Sequence, residues 1–171
     1  MKTPHLLAHQ VWGAVQCFLA GVCWIAYGVF SRIVQPQYWA PESGLDYLGV
    51  AVYSGSLLLT AGGLVALYAS IRRMGRAHWM GTLGFILAIA GATVAGVGNF
   101  VEDGLGVSVM GWIVYVPGIL ALLEGLLIAS ITTLITRALP VVYALVFILG
   151  ALALHSLPWE VGSRREEAGS R

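Results

Sequence analysis

Trp112 to Thr136 reads WIVYVPGILALLEGLLIASITTLIT, with one ionisable group, Glu124, at its midpoint. An apolar run of this length is a transmembrane helix candidate. A carboxylate at the centre of a bilayer costs about 2.5–3.5 kcal/mol on insertion scales. The remaining helices are therefore expected to shield, pair or neutralise Glu124. At 100° per residue, Pro117, Ala121, Glu124, Gly125, Ile128 and Thr132 share one side of the helix. Ile119, Leu122, Leu123, Leu126 and Leu127 fall largely on the other. Small and polar residues suit close helix packing, and branched ones suit lipid or a large partner. The wheel thus predicts that Glu124 faces the bundle interior. Pro117 removes one backbone hydrogen bond and crowds the carbonyl of Ile113, which predicts a kink beside the acid.

Composition agrees with that reading. The chain is 58% hydrophobic and 10% charged, with a mean hydropathy of +0.85. A soluble chain of 171 residues cannot bury that much apolar surface, so the sequence predicts an integral membrane protein of the cytoplasmic (plasma) membrane, with the lipid bilayer as its first partner. A net charge of +1 gives no case for nucleic acid. Cys17 and Cys23 rise about 9 Å apart along one helix and point in different directions, so they cannot bridge each other.

Outward from the central stretch, four more spans are expected. Together the five helices, at about 11–31, 47–71, 78–101, 112–136 and 140–157, make one all-α transmembrane domain over residues 1–160, with a polar, disordered tail at 161–171. The first run, from Val11 to Phe30, is too long for a signal-peptide core. Thr3-Pro4 has the pattern of a helix start. His5 and His9 share a helical face but have no evident third metal ligand. Ser43-Gly44-Leu45-Asp46 has capping-box spacing. Gly75 follows Arg72 and Arg73 as a C-terminal cap. Ser108 is expected to cap the fourth helix, and Pro140 to open the fifth after a tight link. No internal repeat supports an inverted-repeat transporter.

Small residues recur at intervals of four in the third helix, at Gly84, Ala88, Ala92 and Gly96. With Ala121 and Gly125, they allow close helix approach. The short loop Arg72-Arg73-Met74-Gly75-Arg76 is the strongest orientation signal and predicts a cytoplasmic N-terminus and an outer C-terminus. Asn99, Glu102, Asp103, Trp112, His155, Trp159 and Glu160 then gather near the outer surface.

Two candidate sites follow. Glu124, with Pro117 and Asn99, is a ligand or proton site, because an intramembrane acid is a functional hypothesis by default. Its bland alternative is a hydrogen bond to Gln16, Tyr27, Tyr53 or Thr60 of a neighbouring helix. Glu102, Asp103 and His155 form a candidate outer-face cation or metal set, whose bland alternative is a solvated acidic turn. No zinc-protease motif, nucleophile elbow, phosphate loop or paired-cysteine motif occurs, and no cofactor is implied.

Three functions are therefore expected, in this order. The first is a small non-enzymatic accessory or interaction subunit, packing through its Gly/Ala faces against itself or a larger membrane protein. The second is a proton- or cation-linked carrier or channel component centred on Glu124. The third is a metal-dependent membrane enzyme using Glu102, Asp103 and His155.

Overall fold

The computed structural model describes residues 4–34, 43–139, 141, 145 and 149. Four long α-helices follow one another: α1 (Pro4–Val34), α2 (Gly44–Arg73), α3 (Trp79–Asn99) and α4 (Ser108–Ile135), with one π-helical turn at Phe100–Gly104 between α3 and α4. No strand occurs among the described residues. All four helices are long and apolar enough to cross a membrane. Val141, Leu145 and Leu149 are helical. The rest of the expected fifth span at 140–157 lies outside the described residues, as do His155 and the tail at 161–171.

Local chemistry sets the helix ends. Ser43 and Asp46 close the expected capping box. Asp46 Oδ2 accepts from the Ser43 backbone N–H at 2.9 Å, and Ser43 Oγ accepts from the Asp46 N–H at 3.2 Å. This starts α2 three residues before the apolar pattern begins. At the other end Gly75 takes φ +67°, and the N–H of Arg76 reaches back to the carbonyl of Ile71. α4 ends the same way, except that Arg137 takes the left-handed position at φ 49°. There the Ala138 N–H bonds to the Thr133 carbonyl. His78 caps α3, its Nδ1 accepting from Met80 N–H at 3.3 Å. Ser108 does not cap α4: it is the first helical residue, and Val107 holds the cap position without a side-chain bond.

The helices pack antiparallel in chain order. α1 leans on α2, where Gly13 meets Ala66 and Gly62 meets Gln16. α2 meets α3 through Tyr68 with Phe85, and Leu58 with Gly96. α3 and α4 come closest. A Cβ at Gly84 would lie 2.6 Å from the Ala129 nitrogen, and one at Gly118 would lie 2.6 Å from the Ala95 nitrogen. Gly91 and Gly125 are closed off by Leu122 and Ala88 in the same way. The contact row on α3 is therefore Gly84, Ala88, Gly91, Ala95 and Gly98. It steps alternately by four and three, which follows the seam of two long helices more closely than steps of four. Of the expected stripe, Gly84 and Ala88 lie on the α4 seam and Gly96 turns to α2, while Gly91 takes a place on the α4 seam. Leu57, Ala61, Leu64, Phe85, Leu122 and Leu126 fill the space between α2, α3 and α4.

Candidate functional site

Glu124 does not face the interior. It is exposed on α4, in a row with Ile113, Pro117, Leu120, Ile131 and Ile135. The oily residues expected to meet lipid or a large partner, Leu122, Leu123 and Leu126, are buried within the chain. The reason is steric. Gly118 and Gly125 set the line of closest approach to α3, and the leucines on one flank of that line fill the gap toward α2. Glu124 lies on the opposite flank. Gly125 and Thr132 keep their expected interior position.

Asn99 is separated from Glu124 as well. It lies at the end of α3, level with Tyr115, which precedes Glu124 by about 13 Å along α4. The Asn99 side chain is buried and donates from Nδ2 to Ser54 Oγ at 3.0 Å. None of Gln16, Tyr27, Tyr53 and Thr60 is shown bonding Glu124: Gln16, Tyr27 and Thr60 belong to the α1–α2 side, and the Tyr53 hydroxyl meets Tyr115. Trp24 Nε1 donates to Thr60 Oγ1 at 3.1 Å, and Thr60 donates onward to the Ser56 carbonyl at 2.7 Å.

The residues that do converge lie where the π-turn joins α3 to α4. A π-turn spreads five residues where an α-turn holds fewer, and such turns recur at functional sites. Here it carries Glu102 and Asp103. Glu102 is only 7% exposed, and its Oε1 is buried without a hydrogen-bond partner. Asp103 is half-buried and within electrostatic range of Glu102, Tyr53 and Tyr115. The hydroxyls of Tyr53 and Tyr115 meet at 2.6 Å and tie α2 to α4. Behind them the rings pack in a chain. Trp24 stands edge-on to Tyr53 at 5.6 Å between centroids, and Tyr27 tilts against Tyr53 at 4.8 Å. The result is a set of packed aromatic rings with the Glu102 and Asp103 carboxylates in electrostatic range of the phenol oxygens.

The opposite end of the bundle is basic, with Arg72, Arg73, Arg76, His78 and Arg137. Arg76 Nη1 donates to the Arg137 carbonyl at 3.3 Å across the two loops. A shallow cleft there is lined by Tyr68, Thr82 and Thr132, whose hydroxyls are already bonded within the protein. The acidic end differs in keeping a buried oxygen without a partner. The expected pairing of Glu102 and Asp103 with His155 involves a residue outside the described set. Among the described residues no three His, Cys, Asp or Glu side chains gather to hold a metal. Cys17 and Cys23 are free thiols.

The tyrosines of this site are not evident from the sequence. Tyr53 and Tyr115 stand 62 residues apart, and only the α2–α4 register brings them together. No family model, curated protein or solved structure matches this chain.

Proposed function

We propose that this chain is an integral membrane protein that takes up a hard cation at the acid–tyrosine cluster, acting as a carrier or channel component or as its binding part. The observation that carries this reading is the buried Glu102 Oε1, which has no hydrogen-bond partner. An unsatisfied buried oxygen costs about 1–3 kcal/mol, and more when charged. A cation arriving beside it removes that cost. The donors that lie in electrostatic range of one another, from Glu102, Asp103, Tyr53 and Tyr115, are oxygens, which favours hard cations over soft ones. Two carboxylates are fewer than a tight divalent site uses, so the cation keeps part of its water.

The Gly/Ala row invoked by the accessory-subunit reading packs α3 against α4 within the chain, so we favour the cation reading. The acid at the centre of the cation reading moves from Glu124 to Glu102 and Asp103. By the positive-inside rule the basic end faces the cytoplasm of the plasma membrane and the cluster faces outward.

Thermal unfolding of the purified protein in Na⁺, Ca²⁺ or Mn²⁺ at matched ionic strength tests this. Stabilisation by one of these ions, lost in Glu102→Gln and Asp103→Asn, supports the site. Arg32 lies in the last turn of α1, at the same end of the bundle as the cluster, so Arg32→Gln is the control. An ion effect appearing only in that variant assigns the carboxylates to the arginine and removes the proposal.

A further inference from the structure

Among the described residues, Glu124 is an acid that the cation site does not use and that sits midway along a long apolar helix. It falls at the middle of the apolar stretch Ile113–Ile135. Its carboxyl is exposed between Leu120 and Ile131, with Ile113 and Ile135 extending the same face. Arg72, Arg73, Arg76, His78 and Arg137 lie at one end of the bundle, and Arg32 falls near the C-terminal end of α1, at the other. None is at the depth of Glu124.

We infer that the Glu124 face of α4 is the seam of a homodimer, in which two Glu124 carboxyls share a hydrogen bond. The inference rests on the membrane reading above. A carboxyl at mid-depth in hydrocarbon needs a partner that can hydrogen-bond. Copies inserted in one orientation are related by a two-fold axis along the membrane normal. Such an axis brings each residue on the seam opposite its own copy at equal depth. It therefore supplies Glu124 with a hydrogen-bonding group that no described basic side chain offers at that depth: one carboxyl, protonated, donates to the other. Polar side chains join membrane helices in this manner. The flanking Leu120 and Ile131 pack around the pair and keep lipid from it.

Single cysteines test the seam. Cys17 and Cys23 are first replaced by alanine. Leu120→Cys, Ile131→Cys or Ile25→Cys is then introduced, and the protein is oxidised in liposomes. Ile25 is an exposed control on α1. The expected result is cross-linked dimer at positions 120 and 131 and little at 25. Dimer fraction is then followed against protein-to-lipid ratio. Glu124→Gln, whose amide still pairs with itself, keeps the association, while Glu124→Leu weakens it by about three- to thirtyfold. Monomers at every ratio overturn the inference. So does equal dimerisation of Glu124→Leu. Cross-links from position 120 or 131 that form only within one chain, to cysteines placed in 140–157, also overturn it, because that segment is then the cover. Should Glu124→Leu fail to fold, the cysteine pattern alone decides. Alkaline extraction of the membranes reports insertion separately, so a failed seam and a failed membrane reading are told apart.

Discussion

The hydroxyl oxygens of Tyr53 on α2 and Tyr115 on α4 lie 2.6 Å apart. One phenol must donate to the other, so the donor's proton is committed and the acceptor's remains free for a further acceptor. Asp103, within electrostatic range of both rings, stands where such an acceptor is useful. The pair thus fixes the distance between two helices and orients the rim of the candidate site at once.

Removing either hydroxyl breaks that tie. Tyr53→Phe or Tyr115→Phe is expected to lower stability by about 0.5–1.5 kcal/mol. The double variant should cost little more than either single one, because the bond can be lost only once. Unfolding of the three variants in micelles, compared with the parent, closes this cycle.

The α3–α4 seam predicts a sharp contrast between glycines. Gly91 has the backbone of Leu122 where a Cβ would go, whereas Gly21 on α1 has open space. Gly91→Leu must push two helices apart and should cost well over the ~1–3 kcal/mol of ordinary overpacking. Gly21→Ala should be neutral or stabilising by up to about 1 kcal/mol, the helix-propensity difference. Melting temperatures of the two variants measure the contrast.

The cap of α2 predicts a third effect. Asp46 Oδ2 accepts from both the backbone N–H and the hydroxyl of Ser43. Ser43→Ala removes the side chain that receives the Asp46 N–H. It should cost about 0.5–2 kcal/mol, the usual range for an N-cap. Hydrogen exchange should quicken first at the start of α2, before any global loss of stability.

Features that depend on near neighbours in the chain were legible in the sequence. The Ser43–Asp46 box and the Gly75 cap follow from spacing and from backbone geometry that few residues adopt. The long apolar runs of α1 to α4 follow from length. Rotation about a helix axis was not legible, and Glu124 shows why. In a soluble protein an oily side faces inward. In a chain this apolar, both the core and the surroundings of a helix accept leucine, so a wheel cannot tell Leu122 and Leu126 in the core from Leu120 on the outside. Gly84 and Ala88 announced close packing without naming α4 as the partner or the four–three step of the seam. For the site, Glu102 and Asp103 were visible as a pair before a glycine turn. The π-turn that buries Glu102, and the two tyrosines beside it, depend on contacts between distant segments.

The central claim is that Glu102 and Asp103 accept a cation, and direct titration tests it most closely. Purified protein titrated with Ca²⁺, Mn²⁺ and Na⁺ in a calorimeter should show saturable binding of at least one ion. That binding should fall about tenfold or more in Glu102→Gln, in line with the loss of one charged ligand worth about 1.5–3 kcal/mol. It should be unchanged in Glu124→Gln. No saturable heat from any of the three ions, or binding that survives Glu102→Gln and Asp103→Asn together, would contradict the account.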